Sequence, residues 1–140
     1  MNLSQTKKRS GIQIRDVEKK LFSYLFLNKV ATSVQIQRDI YLDISHQALY
    51  KRLNLLMEAG YLSAHYHKEL RGRLVYSLTK KASEEFVIGK TSKEFREQLK
   101  SNSVLHDLDL VDVRSKLKQL KMIEGYYTEN LIRSGIEIDQ

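Results

Sequence analysis

Apolar and polar residues change rhythm several times along this chain, and each rhythm predicts an element. Val17, Leu21, Tyr24 and Leu25 recur at helical spacing, which predicts a first helix from about Arg15–Asp16 to Asn28. Lys29, Val30 and Ala31 form a short link with room for a minimal strand. Thr32-Ser33-Val34-Gln35 has the form of a capping box, with Thr32 at the cap and Gln35 reaching back. It opens a second helix to about Tyr41, packed through Val34, Ile36 and Ile40. Leu42-Asp43-Ile44 reads as a turn, and Ser45 caps a third helix whose inner face is Leu49, Leu53, Leu56 and Met57. Gly60 supplies the left-handed residue that stops it.

From Tyr61 the period becomes two. Leu62, Ala64 and Tyr66 share one face, and Tyr61, Ser63, His65 and His67 share the other. Lys68 to Gly72 is the connecting turn, and Arg73 to Leu78 the return strand. Thr79 can cap a fourth helix running to about Ile88. Gly89-Lys90-Thr91-Ser92 interrupts the pattern, and a short amphipathic helix is expected from Lys93 to about Lys100. A longer helix is expected from Ser103 to about Ile123, with a stripe of Leu110, Val113, Leu117 and Leu120 and a neighbouring face of Val104, Leu108 and Val111. That is more apolar surface than one partner covers, so the helix is expected to pack on its own domain and on a second copy. Gly125-Tyr126-Tyr127-Thr128 reads as a strand. The fold class is therefore mainly α with a small β-hairpin (α+β). Its parts are a flexible basic arm over 1–12, a helix-and-hairpin domain over 13–88, and a C-terminal helical dimerisation region over 89–140.

The outer face of the third helix gives this pattern a chemistry. Gln47, Tyr50, Lys51 and Asn54 lie at offsets of three, four and seven and so share a face. Gln and Asn can offer paired donors and acceptors to adenine, and Lys can reach guanine or a phosphate. The same face can equally be an ordinary solvated surface, as most amphipathic helices have. The hairpin turn carries Lys68, Arg71 and Arg73, placed for a nucleic-acid backbone or minor groove. His46, near the start of the third helix, can meet a phosphate or serve the capping turn. Charge sharpens the picture. The net charge is +7, yet residues 1–81 hold 15 Lys and Arg against 6 Asp and Glu, whereas residues 82–140 hold 9 against 11. The excess lies wholly in the front part, which suits a polyanion partner. Lys7, Lys8 and Arg9 can add phosphate contacts from the arm. There is no Cys, no Pro, no apolar run of membrane-spanning length and no secretory pattern, so a cytoplasmic setting without membrane partners is expected.

Leu53 to Leu62, followed by Val75-Tyr76-Ser77-Leu78-Thr79-Lys80-Lys81-Ala82, resembles the reading helix, wing strands and following helix of a winged helix-turn-helix domain, in the pattern shared by PadR and MarR types. The likeness covers about residues 13–88 and implies a DNA-binding fold. Ser103 to Leu110, placed after the hairpin and a helical spacer, resembles the His-bearing helix of the replication-relaxation family of plasmid and mobile-element proteins, with Tyr126-Tyr127-Thr128-Glu129 matching a following strand and acidic residue.

The expected function is that of a non-enzymatic, sequence-specific binder of double-stranded DNA, a dimeric transcriptional repressor, with no cofactor and no metal. His46, Gln47, Tyr50, Lys51, Asn54, Lys68, Arg71 and Arg73 would meet DNA, and Leu110, Val113, Leu117 and Leu120 would join two copies. One alternative is a plasmid or mobile-element replication or transfer accessory protein. Another is a metal-dependent nuclease fragment using His106, Asp109, Asp112 and Glu129, which would need a divalent cation. A third is a winged helix that binds only protein. His65 and His67 share a strand face without an assured third ligand. No ligand pocket or inducer is evident.

Overall fold

The computed structural model describes residues 12–87 and 99–133, with side chains through Met122. Among these residues lie five α-helices and a small three-stranded antiparallel sheet. Helix α1 spans Asp16–Asn28, strand β1 Ala31–Thr32, helix α2 Ser33–Asp39 and helix α3 His46–Glu58. Strands β2 (Leu62–Tyr66) and β3 (Leu74–Leu78) form a hairpin. Helix α4 (Lys80–Phe86) and helix α5 (Val104–Arg133) follow. The basic arm with Lys7, Lys8 and Arg9, and most of the short helix expected from Lys93, lie outside the described residues.

Local chemistry sets the helix ends. Thr32 Oγ1 accepts from the Gln35 amide, and Gln35 Oε1 accepts from the Thr32 amide, completing the capping box of α2. Ser45 Oγ accepts from the Ala48 amide at the start of α3. At its other end the Tyr61 amide donates to Leu56 O and the Gly60 amide to Met57 O, while Gly60 sits at φ +85°. This closing motif needs a left-handed residue, which is why glycine stands there. Thr79 Oγ1 donates to Gly60 O at 2.7 Å and Lys81 Nζ to Ala59 O at 2.8 Å, so α4 caps the last carbonyls of α3.

The sheet order is β1-β3-β2. Its two faces pack against different partners. On one face Tyr76 and Leu78 join Leu21, Phe22, Leu25, Ile36, Leu49, Leu53 and Leu56 from α1, α2 and α3. Phe22, Tyr61 and Phe86 close this core with ring centroids 5.4 to 5.8 Å apart. On the other face Val75 meets Val30 and Leu108, with Val104 and Leu70 alongside. That second, smaller cluster seats the start of α5 against the sheet, and Val111 is buried one turn further on.

Several expectations change. The minimal strand allowed for at Lys29 to Ala31 forms at Ala31–Thr32, and its pairing with Tyr76 and Val75 adds a third strand to the hairpin. Helix α2 stops at Asp39 rather than near Tyr41, and Val34 is 54% exposed instead of packed, since the short helix points only Ile36 fully inward. The return strand begins at Leu74 rather than Arg73, and the connecting turn contains a 3-10 turn over Lys68–Leu70. The stretch Gly125–Thr128, expected as a strand, is helical. Helix α5 runs ten residues past the expected end at Ile123, to Arg133, because one glycine does not interrupt a helix already propagated over several turns.

Candidate nucleic-acid interface

Helix α3 is held in place from behind. Arg52, on its inner flank, donates Nη2 to Glu18 Oε1 at 2.8 Å and to the Gln13 carbonyl. Glu18 has no exposed surface and also accepts from Arg15 and from Tyr41 Oη at 2.8 Å. Burial alone would raise the Glu18 carboxyl, but the hydrogen bonds from Arg15, Arg52 and Tyr41 outweigh it and hold the group down at about 2. Arg52 thus turns toward α1 and orients α3.

With Arg52 turned inward, α3 presents Gln47, Tyr50, Lys51 and Asn54 to solvent, all exposed as their spacing predicts. Glu58, a turn beyond Asn54, is exposed on the same face, a carboxylate the sequence reading passed over. His46 is exposed, but its Nδ1 lies 3.1 Å from Gln37 Oε1, and Gln37 Nε2 donates to Ile44 O. Its ring meets Tyr50 edge-on with centroids 4.6 Å apart. His46 therefore braces the turn between α2 and α3.

The hairpin turn is compact. Leu70 packs back on the Val30, Val75 and Leu108 cluster, and His67 Nδ1 accepts from the Glu69 amide. Arg71 and Gly72 take left-handed conformations at φ 52° and 82°, turning the chain back into β3. Lys68, Arg71 and Arg73 are left exposed. His65 and His67, the superficial metal pair, are divided in role, since His67 is committed to this turn.

Cations are sorted by position. Arg15 and Arg52 pair with Glu18, and Arg38 pairs with Asp39 and Asp112. Lys51, Lys68, Arg71 and Arg73 form no ion pair among the described residues. Four free cations thus lie on the outer face of α3 and on the hairpin, while others among the described residues, Lys19 and Lys20 on α1 and Lys116, Lys118 and Lys121 on α5 among them, are exposed and unpaired elsewhere.

The C-terminal constellation is drawn apart. Asp112 accepts from Arg38 at 2.7 Å and from Gln35 at 3.2 Å. Arg114 donates to Asn28 at 2.7 Å, and Ser115 donates to Asp39 at 2.8 Å. His106 and Asp109 are exposed, and no group of three His, Cys, Asp or Glu that could hold a metal occurs among the described residues. These bonds dock α5 on α1 and α2. Beside them opens a cleft of about 450 Å³, lined by Tyr24, Leu27, Ile40, Arg114, Leu117 and Lys118 among others, which no sequence pattern announced. Leu110 is half-buried, while Val113, Leu117 and Leu120 are exposed in the single chain. No helix among the described residues is long and apolar enough to cross a membrane. No protein-family model, curated protein or solved structure matches the chain.

Proposed function

We propose that this chain is a winged helix-turn-helix protein that binds double-stranded DNA in a sequence-specific way, as a dimer, and acts as a transcriptional repressor. The observation that carries the reading is the sorting of charge. Cations behind α3 are neutralised by Glu18, Asp39 and Asp112, whereas those on its outer face and on the hairpin are exposed and unpaired. Such a surface attracts a polyanion, and the amides of Gln47 and Asn54 among the cations can read base edges.

In this reading α3 enters the major groove, which is wide enough for one helix. The N-terminal part leads, because Glu58 at the other end repels phosphates. The hairpin lies along the neighbouring backbone, with Arg71 and Arg73 on phosphates. A single unit of this size makes few base contacts, and two copies on a two-fold site supply the rest. Helix α5 is the surface for pairing. Leu117 and Leu120 are 52% and 60% exposed, and Met122 is 68% exposed although its helical position continues the side of the buried Leu108 and Val111. The helix therefore projects beyond its own domain, and an overhanging apolar helix is best covered by its symmetry mate.

The test is selection of bound duplexes from a random pool, with affinity then measured on the recovered sequence and on a scrambled one. Enrichment of a sequence with two-fold symmetry is expected. A pool that returns no enriched sequence, or equal affinity for the two duplexes, sinks the sequence-specific reading.

A further inference from the structure

Three tyrosines from three elements converge where α3 meets the hairpin. Tyr50 lies on α3, Tyr66 ends β2 and Tyr76 lies at the middle of β3. Ala64 stands opposite Tyr76 and Tyr66 opposite Leu74, so Tyr66 is the diagonal neighbour of Tyr76 on the sheet face that the helices cover. Ala31 and Ala64 flank Tyr76 in the sheet and leave room for its ring, which is fully buried. Its hydroxyl nevertheless finds no hydrogen-bond partner among the described residues. Burial pushes this phenol up to about 12, and the nearby phenols of Tyr50 and Tyr66 add to the effect. The corner is thus polar at its base.

At its mouth Tyr66 is 69% exposed although its strand face belongs to the core, because the helices stop short of it. Neither Tyr66 nor Tyr50 engages its hydroxyl within the described chain, and the edge contact from His46 steadies the Tyr50 ring. Lys51 on one side and Lys68, Arg71 and Arg73 on the other are exposed and unpaired. Two free phenolic donors between two sets of free cations suit an anionic acceptor: the cations attract it, and the hydroxyls fix its position.

We propose that Tyr66, together with Tyr50, donates hydrogen bonds to the phosphodiester backbone of the bound duplex at this corner and so sets how α3 sits in the groove. This rests on the DNA reading above and adds a contact that the charge pattern does not include. A phenol carries no charge and touches no base edge here. Its contribution is therefore independent of sequence and leaves the salt dependence alone.

The experiment measures affinity of the full chain, Tyr66→Phe and Tyr66→Ala for the selected and scrambled duplexes over a salt series. Tyr66→Phe is expected to bind both duplexes about tenfold more weakly, with an unchanged salt slope, and Tyr66→Ala to match it. Tyr50→Phe should act in the same way, and circular dichroism should find every variant folded, since the two Phe changes remove only a hydroxyl and the Tyr66 ring removed in Tyr66→Ala is 69% exposed. Wild-type affinity in Tyr66→Phe overturns the proposal, as does a loss confined to the selected duplex. A loss in Tyr66→Ala alone assigns the ring to stacking and overturns it too. Failure of the DNA reading looks different: the wild-type chain then binds neither duplex.

Discussion

Glu18 is a carboxylate with no exposed surface, bound by Arg15, Arg52 and Tyr41. Its folded pKa is depressed to about 2, so its stabilisation is complete above the ordinary carboxylate range. That contribution is lost as pH falls through about 2. Urea titrations between pH 5 and 2 should therefore record falling stability, and Glu18→Gln should flatten the fall. Arg52→Ala leaves this carboxylate short of a partner and is expected to cost about 3–5 kcal/mol in the same titrations. Residues that face outward should behave otherwise. Gln47→Ala or Asn54→Ala is expected to cost about 1–3 kcal/mol on a selected duplex and little on a scrambled one, because base edges carry the sequence. Arg71→Ala or Arg73→Ala should weaken both duplexes alike. Four identical profiles in a binding assay would refute the division between helix and hairpin. The exposure of Gln47, Tyr50, Lys51 and Asn54 was legible from their spacing. The direction of Arg52 was not, since its partner lies 34 positions away in the chain.

Helix α5 spans 30 residues, about 45 Å, and is seated on its own domain mainly through Leu108, Val111 and the polar bonds of Asp112, Arg114 and Ser115. The spacing of three and four that runs through Leu110, Val113, Leu117 and Leu120 meets a carboxylate at Glu124, which ends the uninterrupted apolar stripe, and returns to apolar residues in the sequence at Tyr127 and Leu131. Leu117→Asp tests it. Because Leu117 is half exposed in the single chain, the variant should stay folded, while two facing charges would open an apolar seam. Sedimentation should find the wild-type chain dimeric at micromolar concentration and the variant monomeric, with weaker binding as avidity between half-sites is lost. A monomeric wild type would remove the seam. The stripe itself was readable from periodicity. The continuation of the helix was not, because Gly125 followed by two tyrosines resembles a strand when the preceding helix is left out of account.

Across the molecule, charge and shape act together. The front part holds enough free cations to neutralise about six phosphates per protomer, for an expected log–log salt slope of about −5 for each protomer engaged. Titration against a fixed duplex at several salt concentrations measures it, and a slope near zero would exclude phosphate contacts as the main source of affinity. The lever is the placement of charge. Arg15, Arg38 and Arg52 count toward the basic excess in the sequence but are spent on carboxylates of the same chain, so the usable charge is smaller than composition suggests.

Periodicity, caps and one glycine were enough to place α1, α2, α3 and the hairpin within a few residues, because these signals act between near neighbours. They also marked which positions of α3 face outward. The pairing of Ala31 and Thr32 with β3, the burial of Glu18 beneath Arg52 and the tie of Asp112 to Arg38 depend on contacts between distant segments. So does the corner shared by Tyr50, Tyr66 and Tyr76. No local rhythm encodes such contacts. They arise when the two faces of a three-stranded sheet are covered by different helices, and that packing turns Arg52 inward onto Glu18 while Lys51 beside it stays exposed.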